Sequence, residues 1–167
     1  MAQSPQQQYQ ERRGSVNVLI LGPYGDCKED LIQMRKFVIE KEYKNTRIVE
    51  ELPELEDIPQ EPKEEYFLEK SKYYIENWAE ILIFYLPLEC DCKSVLLELF
   101  FMCEHVPIKC IYSTIIRHEE YDLGTLIKGM VRKMRVADYP YREKSQIQDM
   151  AFSACFCSLE NIFTHTI

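Results

Sequence analysis

Two long apolar runs constrain the fold of this chain more than any other feature. Residues 16–22 are VNVLILG and residues 79–87 are AEILIFYLP, and neither run alternates apolar with polar side chains. A strand with one face in water alternates, whereas a strand covered on both faces does not. The two runs therefore predict strands of a parallel sheet with helices on both sides.

The segments that follow these runs have helical spacing. Leu31, Met34 and Val38 recur at intervals of three and four residues, which is the pattern of an amphipathic helix. Residues 63–78 predict a second helix. Residues 92–105 predict a third, which is apolar nearly all round and ends before Pro107. Helices therefore alternate with the apolar strands.

Two further strands complete the expected alternation. Residues 46–52 (TRIVEEL) and residues 108–116 (IKCIYSTII) are both rich in β-branched side chains. The resulting order β-α-β-α-β-α-β, with right-handed crossovers, winds into a sheet with helices on both faces. We predict an α/β fold, a flavodoxin-like or Rossmann-like three-layer sandwich with a parallel central sheet of four to five strands.

The chain divides into three segments by composition. Residues 1–15 are polar and Gln-rich and predict a disordered leader, while residues 16–115 form the α/β core. Residues 116–167 predict a mainly helical C-terminal extension of the same domain, in which RVADYPY is either an edge strand or a loop. The last helix carries more apolar surface than a one-sided helix needs. We therefore expect a homo-oligomer.

Charge and composition exclude several classes of protein. The net charge of −8 argues against nucleic-acid binding, because phosphates would be repelled. No apolar stretch reaches the roughly 18 residues that cross a bilayer, and no signal-peptide block is visible, so we expect a cytoplasmic protein without a membrane partner. Seven scattered cysteines then predict reduced, buried thiols and no disulfide.

Polar and glycine residues follow the first and third apolar runs. Because ligands of open parallel sheets bind beyond the carboxyl ends of the strands, both loops are expected to face one crevice. Glycines allow a ligand to approach the backbone, although Gly22-Pro23 is equally consistent with a simple strand-ending turn. Asp26 is placed to cap the next helix. The loops comprise Gly22-Pro23-Tyr24-Gly25-Asp26 and Pro87-Leu88-Glu89-Cys90-Asp91.

These loops lack the motifs of common cofactor and metal sites. Neither G-x-G-x-x-G nor the Lys-Ser/Thr of a phosphate-binding P-loop is present. The Cys-x-Cys pairs Cys90/Cys92 and Cys155/Cys157 do not have the spacing usual for structural zinc. We expect no cofactor and no metal.

Glu98 is the most informative single residue. It lies within the apolar segment SVLLELFFM, where a carboxylate must be paired or must face a polar cavity, because burial of an unpaired charge is costly. If Glu98 faces the crevice, its position suits the role of a nucleophile or a base. The alternative is an ion pair with a basic residue, for which the candidates are Lys93, Lys109 and Arg117. Asp91, similarly, is either a ligand contact or a helix cap.

Three segments together resemble a known family. VLILGPYGD, ENWAEILIFYLPLECD and SVLLELFFMCEHVPIKCIY are similar, over residues 16–114, to the nucleoside 2-deoxyribosyltransferase-like proteins, which are relatives of the TIR domain. In that family the first strand ends in Gly-Pro, and a helix after a buried strand carries a catalytic Glu. The resemblance implies chemistry on the N-glycosidic bond of a nucleoside, nucleotide or NAD-like compound.

The resemblance also implies roles for individual residues. Glu98 matches the carboxylate that attacks or stabilises the anomeric carbon, Tyr24 would lie against the base or sugar, and Asp91 would contact sugar hydroxyls. A neighbouring subunit commonly completes the site in this family, which again implies a homo-oligomer. The other residues expected to bind the nucleoside or nucleotide are Gly22, Pro23, Asp26, Glu89 and Ser94.

Two other interpretations stay open at this point. One is a non-catalytic nucleotide-binding sensor or self-assembling scaffold of the same fold, and the other is a flavodoxin-like protein that shares only the architecture. An enzyme requires Glu98 in an open cavity, whereas a scaffold tolerates a crevice filled by side chains. The orientation of Phe100 and Phe101 discriminates between them.

Overall fold

The computed structural model describes residues 1–165. Within them the chain forms five strands and six α-helices. The strands are β1 (Val18–Leu21), β2 (Thr46–Ile48), β3 (Ile81–Leu86), β4 (Ser113–His118) and β5 (Ala137–Tyr141). The helices are α1 (Pro5–Ser15), α2 (Lys28–Glu40), α3 (Lys63–Asn77), α4 (Lys93–His105), α5 (Gly124–Met134) and α6 (Ile147–His165).

The strands form one parallel sheet in the order β2-β1-β3-β4-β5. Leu19 is in register with Leu82, and Ile20 with Ile83, so β1 and β3 are neighbours although α2, β2 and α3 separate them in the chain. After β1 the chain adds β2 at one edge of the sheet, and after β3 it adds β4 and then β5 toward the opposite edge. The boundary between β1 and β3 is therefore the switch point at which α/β proteins bind ligands. The predicted α/β class with a parallel central sheet is confirmed.

Two apolar cores explain why the strands are apolar on both faces. Leu19 and Leu82 point into a core shared with α3, α4 and α5, whereas Ile20 and Ile83 point into a core shared with α2 and α6. All residues of β1 and β3 are buried. Because consecutive side chains enter opposite cores, an uninterrupted apolar sequence is required.

The structure revises two of the expected features and decides one alternative that the sequence left open. Residues Pro107–Tyr112 form a 3₁₀ turn, and β4 begins only at Ser113, because the segment after Pro107 packs against α4 and α6 before it enters the sheet. The RVADYPY segment is an edge strand, β5, rather than a loop. Asp26 is exposed within a 3₁₀ turn and does not cap α2, whose N-cap is Cys27.

The first fifteen residues do not match the expected disordered leader. Ser4 and Gln7 form a capping box that starts α1, and Arg12 pairs with Glu80 just before β3. The Tyr9 ring stacks on Phe163 of α6 at 5.6 Å between centroids. The segment is polar and has no apolar stripe, so its order depends on contacts that composition does not reveal.

Helix α1 also covers part of α6. Tyr9 contacts Phe156 as well, at 6.1 Å between ring centroids, so some of the surplus apolar surface of α6 is covered within the chain. On its buried face, α6 packs into the core that it shares with α2, through Ala151, Ala154 and Leu159. None of the helices within residues 1–165 has both the length and the apolar character to cross a bilayer.

The expectation of no disulfide is wrong for one pair of cysteines. Cys27 and Cys90 are bonded, with their Cα atoms 6.5 Å apart. Cys27 lies in the loop after β1 and Cys90 in the loop after β3, and these strands are adjacent in the sheet. The pairing spans 63 positions in the sequence, so only the sheet order brings the two residues together. The other five cysteines are free, and four of them are buried as expected.

Candidate functional site

A cavity of about 250 Å³ lies at the carboxyl ends of β1 and β3, where the sheet topology places a ligand site. We call it the carboxyl-edge cavity. Its volume is somewhat below the range of about 300–1,000 Å³ usual for drug-sized ligands, so it suits a ligand no larger than a nucleoside. The lining residues are Ile20, Leu21, Gly22, Tyr24, Val49, Glu64, Phe67, Leu68, Ser71, Ser94 and Glu98.

Glu98 is buried in this cavity, with 8% of its surface exposed. Its position in the second turn of α4 follows from the sheet, because α4 begins directly after the loop that leaves β3. Burial raises the pKa of Glu98 to about 8, and a hydrogen bond with the Ser71 hydroxyl partly offsets this rise. At neutral pH, Glu98 is therefore mostly a neutral acid.

The expected alternative, an ion pair for Glu98, is absent among residues 1–165. Each basic candidate has another partner: Lys93 lies 3.9 Å from Asp91, and Arg117 binds Asp138 through two nitrogens at 2.8 and 3.0 Å. Lys109 donates to the backbone carbonyls of Ile75 and Glu76. Within the described chain Glu98 has no cation to neutralise it, which leaves it available to a ligand.

Tyr24 supplies an aromatic wall of the cavity. Its hydroxyl accepts a hydrogen bond from the backbone N–H of Glu50 at 3.1 Å, which fixes the ring beside the loop that follows β2. The ring also meets Phe67 edge-on at 6.1 Å between centroids. Burial raises the pKa of Tyr24 to about 12, so the phenol stays neutral. An aromatic pair of this kind suits a flat, uncharged ring of a ligand.

Gly22 lines the cavity, but its lack of a side chain has a packing reason. A Cβ atom at this position would lie 2.4 Å from Cδ2 of the buried Leu31 in α2. The left-handed backbone of the loop is instead at Gly25, where φ is 68°. Pro23 is buried beside this turn and does not line the cavity. Gly22 and Pro23 thus follow the end of β1, and Gly22 forms part of one wall of the carboxyl-edge cavity.

Phe67 and Ser71 belong to the site although the sequence did not single them out as ligand contacts. Both lie in α3, four positions apart, and therefore share one face of that helix. This face reaches the cavity because α3 packs beside α4. The sequence did contain one signal for this contact, because Ser71 is a polar residue on the apolar face of a predicted helix.

Of the expected binding residues, four do not line the carboxyl-edge cavity: Pro23, described above, and Asp26, Glu89 and Asp91. Asp26 is exposed in the loop after β1. Glu89 is exposed and pairs with Lys144. Asp91 accepts a hydrogen bond from the backbone N–H of Lys93 at 2.9 Å and so satisfies the first N–H group of α4, although the N-cap residue is Cys92 rather than Asp91. Ser94 does line the cavity.

Phe100 and Phe101 do not fill the cavity. Phe100 is 51% exposed and lines a separate groove between α4 and α5. Phe101 is partly buried against the core that the sheet shares with α3, α4 and α5. Its ring lies beside His105, and the ammonium group of Lys72 lies over the ring. The bulky pair thus leaves the space in front of Glu98 open, as an enzyme or a ligand-binding module requires.

The charge of the lining limits what the cavity can bind. Among the described residues that line it, the ionisable carboxyl groups are Glu64 and Glu98, and no Lys, Arg or His is present. Phosphate groups would find no cationic partner inside. The hydroxyls of Ser71 and Ser94 offer hydrogen bonds to a polar ligand such as a sugar.

Comparison of the sequence with protein-family models and with curated proteins gives no match.

Proposed function

We propose that this protein cleaves or transfers the N-glycosidic bond of a nucleoside, nucleotide or NAD-like ligand, with Glu98 as nucleophile or as the stabilising carboxylate. The observation that carries the proposal is a buried Glu98 with no cationic partner among residues 1–165, facing an open cavity at the switch point of the sheet. A carboxyl group in such a place is characteristic of functional sites. The resemblance to nucleoside 2-deoxyribosyltransferase-like proteins supports the same chemistry.

The energetics of Glu98 favour a reaction that creates positive charge. Glycosidic cleavage passes through an oxocarbenium-like state with positive charge at the anomeric carbon. That charge stabilises the ionised form of Glu98, which the empty cavity disfavours. The attraction is therefore stronger in the transition state than with a neutral substrate, and this difference is what accelerates a reaction.

The other lining residues supply binding and orientation. The rings of Tyr24 and Phe67 offer apolar faces to a nucleobase, and Ser71 and Ser94 offer hydroxyls to the sugar. Because the lining carries no basic side chain, any phosphate of a nucleotide ligand would remain outside the carboxyl-edge cavity. The nucleoside portion would then be the part that the cavity holds.

One observation favours a second candidate, a nucleotide-binding sensor or scaffold without catalysis. With its pKa near 8, Glu98 is mostly protonated at neutral pH and can donate a hydrogen bond to a ligand. A protonated carboxyl group is a poor nucleophile. Ligand binding without bond cleavage is the outcome this candidate predicts.

The expected homo-oligomer and cytoplasmic location remain part of the proposal. Exposed apolar side chains on α4 and α5, Leu97, Phe100 and Leu126, support self-association. Light scattering coupled to gel filtration measures the mass in solution. A mass of 19.9 kDa, that of one chain, would contradict the oligomer.

The deciding experiment follows base release from a panel of nucleosides, deoxynucleosides, nucleotides and NAD by chromatography. The parent protein is compared with Glu98→Gln and with Glu104→Gln, which makes the same chemical change on the exposed side of α4. Release by the parent and by Glu104→Gln, but not by Glu98→Gln, is expected. No release, with thermal stabilisation by one compound, would favour the sensor. No release and no stabilisation would contradict both candidates.

A further inference from the structure

Four potential metal ligands meet beside the disulfide, away from the lining of the carboxyl-edge cavity. Cys27 and Cys90 come from the loops after β1 and β3, Asp30 from the first turn of α2, and Glu89 from the residue before Cys90. The Cys27 sulfur and carboxylate oxygens of Asp30 and Glu89 all lie within 4.8 Å of one another. Thiolates and carboxylates are both established ligands of zinc.

A cation already occupies the space between the two carboxylates. The Lys144 ammonium, from the turn before α6, lies 3.2 Å from Asp30 and contacts Glu89. The ammonium thus forms an ion pair with each of the two carboxylates. The Tyr85 hydroxyl donates a hydrogen bond to Asp30 at 2.8 Å and so orients it. The arrangement is built to hold positive charge.

We propose that Cys27, Asp30, Glu89 and Cys90 form a Zn²⁺ site when the Cys27–Cys90 disulfide is reduced. The disulfide and the metal are then alternative ways of joining the same two loops. This inference does not depend on the proposed glycosidic activity, because it concerns a different group of side chains.

The change from the disulfide to the zinc-bound form balances in electrons and protons. A dithiol reductant transfers two electrons and two protons to the disulfide and becomes a disulfide itself, leaving two thiols on Cys27 and Cys90. Binding of Zn²⁺ then releases the two thiol protons to solvent, because thiolates are the ligands. Lys144, which is about half exposed, moves from the carboxylates into water.

The geometry permits a tetrahedral site with small movements. Zinc bonds of about 2.0–2.3 Å place tetrahedral ligand atoms about 3.3–3.8 Å apart. The ligand atoms of Cys27, Asp30 and Glu89, now up to 4.8 Å apart, require shifts of about 1 Å. The Cys90 sulfur lies outside that group and must turn toward the carboxylates once the disulfide is reduced. Glu89 is exposed and Cys90 is partly exposed, so both can make these movements. The Cα separation of 6.5 Å between the cysteines suits two ligands of one ion as well as it suits a disulfide.

The neighbouring Cys92 is not part of this site. Its buried thiol donates to the carbonyl oxygens of Pro87 and Cys90, and so points back into its own loop. The proposed ligand pair is therefore Cys27 with Cys90, across two strands, rather than the Cys-x-Cys pair visible in the sequence.

The test titrates Co²⁺, a spectroscopic substitute for zinc, into reduced and oxidised protein under anaerobic conditions, followed by displacement with Zn²⁺. The reduced parent is expected to bind one equivalent, with thiolate-to-cobalt charge-transfer bands and the visible bands of tetrahedral cobalt. The oxidised parent is expected to show neither. Absence of these bands in the reduced parent would overturn the proposal.

Three variants assign the ligands. Cys90→Ser leaves Cys27 as the one proposed thiolate ligand and should weaken the charge-transfer bands, whereas Cys157→Ser, which removes an exposed cysteine elsewhere, should leave them unchanged. Glu89→Gln keeps both cysteines and alters an exposed side chain, so it leaves the fold intact and should weaken binding at least about tenfold. Cobalt bands of undiminished intensity in Cys90→Ser, or unchanged affinity in Glu89→Gln, would show that other groups bind the metal.

Discussion

Tyr24 and Glu98 line one cavity, although one follows β1 and the other lies in the helix after β3. The adjacency of these two strands brings an aromatic ring and an unpaired carboxyl group to the same small volume. Glu98 also contributes to the raised pKa of Tyr24, since a negative charge on Glu98 would disfavour a phenolate nearby. The pair is the centre of the proposed site.

The pH dependence of base release should follow the ionisation of Glu98. If the carboxylate is the working form, kcat/KM should rise about tenfold per pH unit below the pKa and level off above it. With a pKa near 8, the rise should extend through neutral pH. Initial rates measured across this range test the prediction. A rate that falls as Glu98 ionises would show instead that the protonated acid is required.

The stability of the protein should also depend on Glu98. Its pKa is about 8 in the folded chain against an ordinary 4.5, so the folded state holds this proton more tightly than the unfolded state does. The stabilisation is fully present below pH 4.5 and is lost as the pH rises to about 8. Because the side chain of the Glu98→Gln variant stays neutral, the free energy of unfolding of this variant should rise relative to that of the parent between pH 4.5 and about pH 8.

The expected gap between Glu98→Gln and the parent is a few kcal/mol at its largest, because each pKa unit corresponds to about 1.4 kcal/mol. Urea denaturation at several pH values measures the free energy of unfolding. Glu104→Gln on the exposed side of α4 is the control and should show no such gap. Parallel pH profiles for the parent and Glu98→Gln would contradict a buried, neutral Glu98.

Two glycines after β1 should respond differently to alanine. Gly25→Ala meets no atom within 4 Å but forces a side chain into the left-handed region, at a cost of about 1–2 kcal/mol. Gly22→Ala places a Cβ against Leu31 in the packed core and should cost about 1–3 kcal/mol. Gly22→Ala should also alter the cavity wall, and so weaken ligand binding more than Gly25→Ala does.

A third glycine provides the matched control for these two. Gly129 lies inside α5 and has no atom within 4 Å of a built Cβ, so Gly129→Ala should stabilise the protein by about 0.5–1 kcal/mol. Thermal unfolding of the three variants ranks them. Equal effects at all three positions would contradict the different roles assigned here.

The N-terminal helix should be detectable by hydrogen exchange. Backbone amides in α1 should exchange slowly, and Tyr9→Ala should speed their exchange because it removes the contacts with Phe156 and Phe163. Gln8→Ala, an exposed polar position of the same helix, is the control and should change little. Fast exchange of these amides in the parent would mean that α1 is not stably docked.

Periodicity predicted the helices and buried strands because those patterns are local. The unbroken apolar runs of β1 and β3 are typical of strands covered on both faces, and the spacing of Leu31, Met34 and Val38 is typical of a one-sided helix. Glu98 was found for a related reason, since a carboxylate within an apolar run is conspicuous. Order in α1 was missed because its few anchoring contacts are made to distant parts of the chain.

The sequence by itself determined the α/β class, the loops at which a ligand could bind and the singular position of Glu98. The tertiary structure decided which of those loop residues share a cavity, that Glu98 has no cation beside it within residues 1–165, and that Cys27 bonds Cys90. It also brought Ser71 of α3 into the site and directed the Asp91 carboxylate to the first N–H group of α4. The physical reason is that residue types and their spacing report local preferences, whereas these pairings depend on the order of the strands in the sheet.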